Sequence, residues 1–170
     1  SENDVNHPNR TIVLNAVIGK TLALQGEFDA AEAFFNTGKT LLAEYPDERT
    51  KCHLLENLSH ALALRANAEK KAFLNVFPEN MSSLGNILNL FERCRVVASE
   101  GVVSCEKIGD RQKLATLKLN LGSANFDLGV LESLEKHYGC LQLAEEDKKT
   151  IFIAHDKFAL GIDFHALEHK

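Results

Sequence analysis

Apolar residues recur every three or four positions along most of this chain, which is the spacing of one face of an α-helix. The first such run starts at Thr11 and ends before Gly26, and a second extends from Phe28 to Tyr45. Gly26 stands where a helix would end, and Asp29 stands near the start of the next. The pattern therefore predicts two helices joined by a tight turn, which is an αα-hairpin.

The same alternation of helices and short turns continues towards the C-terminus. Further helices are predicted over residues 49–66, 82–108, 112–128 and 131–144, and a last one opens at 145–147. The turns between them are predicted at 67–69, at Gly109 and at Gly129. Leucine and alanine outnumber valine and isoleucine, and only three prolines occur, which also favours helices over strands. The chain is therefore predicted to be all-α.

Residues 67–83 fit this plan less well, because they lengthen the second helix pair. Phe73, Phe77 and Met81 make this insertion too apolar for a free loop. Either it forms a short extra helix folded onto the body of the domain, or it is an exposed docking patch.

One short motif recurs along the chain: an apolar residue followed by glycine, with a second glycine seven positions later. It occurs at Gly19 and Gly26 and again at Gly122 and Gly129, and Gly161 starts it a third time. Recurrence at a fixed period is the signature of a repeat architecture. A small anchor allows two helices to cross closely, and the second glycine allows a tight turn.

The anchors define the length of each unit. Ser59 is a degenerate anchor 40 residues after Gly19, and Gly161 follows Gly122 by 39 residues. Ser59 and Gly122 are 63 residues apart, so the second unit carries the insertion. The predicted organisation is a flexible leader (1–10) followed by units at 11–48, 49–109, 110–146 and a half-repeat at 147–170.

These residues resemble the tetratricopeptide repeat. The first unit matches that family's pattern at Gly19, Gly26, Phe28, Ala31 and Phe35, and the third at Gly122, Gly129 and Tyr138. Asn15 and Lys118 replace the aromatic residue usual early in the first helix. The resemblance implies an α-solenoid of stacked antiparallel helix pairs with about 3.5 repeats, which cannot bury its apolar faces without neighbouring units. It also implies packing roles for these residues and for Gly161.

In this family the ligand usually lies in a concave groove lined by the first helix of each pair. Carried over by position, the groove candidates are Lys20, Leu24, His53, Glu56, His60, Thr116, Ser123, Phe126, His155, Phe158 and His165. Such a mixed groove suits an amphipathic helix or an extended peptide. The resemblance thus implies a protein- or peptide-binding scaffold, as the sensory or regulatory module of a larger signalling or transcription-regulating protein. The alternatives are a self-association module that forms a homo-oligomer and a small-molecule-sensing domain.

Some members of the family clamp a terminal carboxylate with lysine, asparagine and arginine side chains. Lys20, Asn57 and Asn120 occupy positions of that kind, whereas the basic residues expected in the third unit are missing. The pattern therefore disfavours a carboxylate clamp.

Composition and charge exclude several other classes of partner. The net charge is −5, and a nucleic-acid or anionic-membrane surface would need clustered lysine and arginine. No apolar run is long enough to span a bilayer. We therefore expect neither nucleic acid nor membrane as a direct partner, and a cytoplasmic location, with an extracytoplasmic sensor segment as the alternative.

The residues that could carry chemistry do not form a known pattern. Cys52, Cys94, Cys105 and Cys140 match neither zinc nor CxxC spacing, so free, mostly buried thiols are predicted. His53 and His60 are seven residues apart, about 10 Å along a helix, too far to chelate one ion. No cysteine–histidine pair has an evident acid or oxyanion donor. No metal, no cofactor and no enzymatic activity are expected.

Overall fold

The computed structural model describes residues 7–77 and 79–143, and these residues form helices and turns without a strand. The all-α prediction is therefore confirmed. The α-helices are α1 (Pro8–Leu24), α2 (Phe28–Glu44), α3 (Glu48–Asn75), α4 (Leu84–Ile108) and α5 (Arg111–Leu143), and a short 3₁₀-helix at Met81–Ser83 precedes α4. Among the described helices, none is both long enough and apolar enough to cross a membrane.

The chain divides into two compact units, the first ending at Asn125 and the second beginning at Phe126. Within the first unit, α1 packs against α2, and α3 packs against α1, α2 and α4. The first unit is thus built from packed helix pairs. The second unit contains the last part of α5, where Leu131 and Leu134 are buried.

Helix α1 begins inside the segment predicted to be a flexible leader. Pro8 occupies the first helical turn, where its missing N–H would have had no partner in any case. Ile12, Ala16 and Ala23 form the buried face at helical spacing. The chain turns after the helix at Gly26, whose φ of +84° favours glycine, as predicted.

Helix α3 is longer than predicted, and the turn expected at residues 67–69 is wrong. Ala66 and Phe73 are both buried and so anchor the helix on either side of that position. Arg65 Nε donates to Glu69 Oε1 at 3.1 Å, one helical turn further on. Residues 66–72 are mostly alanine, glutamate and lysine, which favour a helix over the turn suggested by Asn67.

The insertion does not form a separate α-helix, although its last three residues are the short 3₁₀-helix. Its first part extends α3 to Asn75, and its aromatic residues pack inward, with Phe73 and Phe77 both buried. Their rings lie edge to face at 5.6 Å between centroids. The Asn80 side chain donates to the Phe73 carbonyl at 3.2 Å and holds the turn. Phe73 and Phe77 therefore belong to the core and not to an exposed docking patch.

Helix α5 is continuous, so the break predicted at Gly129 is wrong and residues 112–128 and 131–144 do not form a hairpin. The contrast with Gly109 shows why. Gly109 ends α4 with a φ of +71°, and Asp110 follows it. The Asp110 carboxylate accepts the backbone N–H of Lys113 at 3.1 Å and so opens the next helix. Gly129 is followed by Val130, which cannot act as a cap.

A cluster of buried residues joins α3, α4 and α5. Two of its members are cysteines whose state differs from the prediction. Cys52, Ala98, Cys105 and Leu117 are all completely buried there. Cys52 and Cys105 form a disulfide between the start of α3 and the end of α4, with Cα atoms 5.7 Å apart. The prediction of free thiols is therefore wrong for these two residues.

Candidate functional site

A row of half-buried polar side chains follows one face of α3. His53, Glu56 and His60 are spaced three and four residues apart, which places them on the same side of the helix. The opposite side is fixed in the core by Leu55 and Leu62. The row is therefore accessible while its helix is held rigidly by the core.

Charged groups on the two neighbouring helices reach this row. Lys20 of α1 acts electrostatically on both His53 and His60. Lys113 and Asp110, at the start of α5, act on His53 alone, and they form an ion pair with each other at 2.7 Å. The structure thus brings the predicted residues of α1 and α3 together. The α5 pair was not predicted, because its position depends on where α5 begins.

Burial governs the protonation of both histidines. The pKa of His53 is lowered, mainly because burial disfavours the charged form; Lys113 and Lys20 lower it further, and Glu56 and Asp110 oppose them. The pKa of His60 is lowered by burial and then by Lys20, against Glu56. His53 Nε2 is buried and has no hydrogen-bond partner among the described residues. This nitrogen is covered by protein atoms, so it could bond to a ligand only if the ring or its neighbours moved.

We expect the domain to lose stability as the pH falls below the ordinary histidine value of 6.5. Both folded-state pKa values are lowered, so the unfolded chain takes up protons more readily, and the stabilising effect present above pH 6.5 is lost on acidification. Urea denaturation at pH 7.5 and 5.5 measures this difference. The variant His53→Gln/His60→Gln should show a smaller difference than the natural chain. An equal difference in both proteins would contradict the assignment.

The remaining groove candidates are dispersed or lie elsewhere. Leu24 is 61% exposed on α1, and Ser123 is exposed on α5. Thr116 is half-buried, and its hydroxyl donates to the Gln112 carbonyl at 3.4 Å, within its own helix. Phe126 is 66% exposed and belongs to the second unit. The candidates outside the described residues are His155, Phe158 and His165.

Two buried amides beneath the row bond to other protein groups and do not face a ligand. Asn57 donates to the His53 carbonyl at 2.8 Å. Asn120 of α5 donates to Ser59 Oγ of α3 at 3.0 Å, and both residues are buried. Because both amides are buried and already donate to other protein groups, they cannot form a carboxylate clamp with Lys20.

The residues to which the family resemblance assigned packing roles fall into two groups. A Cβ on Gly19 would lie 2.8 Å from the ring of Phe35, and Ala31 is buried close to it along α2. By contrast, Cβ atoms on Gly122 and Gly129 would meet nothing within 4 Å. Tyr138 is half-buried, and Gly161 lies outside the described residues. Of the described motif glycines, Gly19 alone therefore lies at a close helix contact; outside the motif, a Cβ on Gly101 of α4 would lie 2.7 Å from Leu117 of α5.

A second polar cleft, which the sequence did not indicate, lies where α2, α3 and α4 meet. Arg65 pairs with Asp29 at 3.0 Å and with Glu69 at 3.1 Å. Glu32 lies 3.4 Å from Arg65 and 2.5 Å from Arg93. Each arginine already has a carboxylate partner, so the cleft holds three helices together and offers no unpaired cation to a ligand.

No cluster of three or more metal-binding side chains exists among the residues that the structure describes. The arrangement on α3 is a half-buried row of two imidazole groups and one carboxylate along one helix face. Comparison with known proteins adds no family to this description: the chain matches no protein-family model, no curated protein and no solved structure.

Proposed function

We propose that this chain is a tetratricopeptide-repeat-like scaffold that binds a protein or peptide along the face of α3, between α1 and the first part of α5. The observation that carries the proposal is the half-buried row of His53, Glu56 and His60 along one face of α3. Such a row can bond to the polar groups of a polypeptide. We propose no catalytic activity.

An open surface supports a polypeptide partner better than a small molecule. The apolar pocket between α1, α2 and α3 has a volume of about 20 Å³, enough for about one water molecule. Two larger pockets of about 460 and 440 Å³ border α3, but both are open to solvent and lined largely by charged residues. A drug-sized ligand needs a pocket of several hundred Å³ that is mostly apolar and buries most of the ligand's surface. The row on α3, by contrast, runs along the helix and is open to a ligand of extended shape.

The wider context of the binding function is proposed on the family resemblance alone. It comprises a sensory or regulatory role within a larger signalling or transcription-regulating protein. The Cys52–Cys105 disulfide supports the extracytoplasmic alternative over a cytoplasmic location, because disulfides persist mainly in oxidising compartments.

Peptide selection against the full chain tests the binding proposal. Random peptides displayed on phage should yield binders whose affinity falls by about tenfold in the variant His60→Ala, which corresponds to the loss of one good polar contact. Asn36→Ala is the matched control, because Asn36 is exposed on α2, away from the row. Selected peptides that bind His60→Ala and the natural chain equally would refute a binding site on this face.

A further inference from the structure

Helix α1 has a second, outward face that carries exposed apolar residues. Leu14, Val17 and Leu24 are 58%, 45% and 61% exposed, and Thr21 between them is also exposed. These four residues have the spacing i, i+3, i+7 and i+10, which is the a/d seam of a coiled coil. The described part of the chain leaves this seam open to solvent.

The seam contains no polar group that would resist burial. The Thr21 hydroxyl donates to the Val17 carbonyl at 2.9 Å, within the helix itself. Burying Thr21 under a partner therefore leaves no donor unsatisfied. The other three seam residues are aliphatic and would each gain from leaving water.

The charge on α1 indicates the sign of the charge that its partner carries. The chain as a whole carries a net charge of −5, yet the 17 residues of α1 include two cations and no carboxylate. Among the described residues, neither Arg10 nor Lys20 has an ion-pair partner. A partner with carboxylates beside its apolar residues would supply the missing counter-charges.

We propose that the outward face of α1 binds an amphipathic helix of another protein, with apolar residues at coiled-coil spacing and carboxylates along its flanks. The partner helix would lie along α1, which is about 25 Å long. A second copy of α1 has no carboxylate to offer to either cation, so self-pairing is disfavoured. An anionic membrane is disfavoured because two cations on an acidic chain give little attraction.

Two synthetic peptides of about 18 residues test the sign of the charge. Both carry leucine at the same a and d positions, one with glutamate flanks and the other with lysine flanks. Fluorescence anisotropy with the full chain should show the glutamate peptide binding about tenfold more tightly or better. The variant Lys20→Glu should abolish that preference. Equal binding of the two peptides, or no binding of either, overturns the proposal.

Matched threonine variants test whether the peptide binds on the outward face of α1. Thr21→Glu places a charge in the middle of the seam and should weaken the glutamate peptide by about tenfold or more. Thr37→Glu is the control, because Thr37 is exposed on α2 and also donates to the carbonyl four residues earlier. An equal loss in both variants overturns the proposal. If Thr21→Glu does not fold, Leu14→Ser replaces it.

Two further outcomes would assign the face to another occupant and so overturn the proposal. One is a mass that doubles with concentration in light scattering and stays monomeric in Thr21→Glu, which indicates a second copy of the chain. The other is sedimentation with phosphatidylserine vesicles that Thr21→Glu abolishes. The variant His60→Ala should leave the glutamate peptide's affinity unchanged, so this surface and the α3 face can succeed or fail separately.

Discussion

Reducing the disulfide between Cys52 and Cys105 should lower the free energy of unfolding by about 4 kcal/mol. The bond closes a loop of 53 residues and thereby restricts the unfolded chain, and the entropy of a loop of that length corresponds to this value. Because a domain of this size is typically stable by only about 5–15 kcal/mol, the reduced protein would be marginal. Urea denaturation with and without dithiothreitol measures the effect.

The double variant Cys52→Ala/Cys105→Ala provides the control for this experiment. It should unfold at a similar urea concentration in both conditions, because it has no bond between these positions to reduce. The mass of the oxidised chain should also rise by two hydrogens for this bond on reduction. A natural chain whose unfolding midpoint is the same with and without reductant would show that the disulfide does not stabilise the domain.

The substitutions Gly19→Ala and Gly122→Ala should have opposite effects on stability, although both residues match the same repeat motif. At Gly19 the new Cβ would lie 2.8 Å from the ring of Phe35, which is buried and cannot move away. Overpacking of this kind exceeds the gain from alanine's helix propensity, so we expect a loss of about 1–2 kcal/mol.

At Gly122 a Cβ would meet nothing within 4 Å. The substitution there should stabilise the domain by about 0.5–1 kcal/mol, because alanine replaces glycine inside a helix. Thermal or urea unfolding of the two variants, side by side, measures the difference. Equal effects of the same sign would mean that the first helix pair does not require its close crossing.

The parts of the fold that local residues determine were predictable from the sequence. The first hairpin is an example, because Gly26 ends α1 by its own backbone conformation. The cap at the start of α3 is similarly local: the Asp47 carboxylate accepts the backbone N–H of Thr50 at 2.8 Å. A glycine was not sufficient by itself, since Gly26 and Gly109 end helices with a positive φ and Gly129 lies inside one. At Gly109 the following aspartate caps the next helix, whereas Gly129 is followed by Val130.

The features that depend on the register between distant helices were not predictable. Cys52 and Cys105 approach each other because the start of α3 lies beside the end of α4, and their sequence spacing contains no sign of this. The same holds for the bond between Asn120 and Ser59, which joins α5 to α3. The row on α3 was predictable because His53 to His60 is one continuous helical face.

The position of α3 among the other helices affects how the domain unfolds. This helix contacts α1, α2 and α4 directly and is bonded to α5 through Ser59, so it has neighbours on several sides. Its backbone amides should therefore exchange hydrogen with solvent only when most of the first unit unfolds, and more slowly than those of α1. Excising a single helix pair would in consequence expose α3 on one side. The first unit is thus one cooperative block, and its helix pairs are not interchangeable modules.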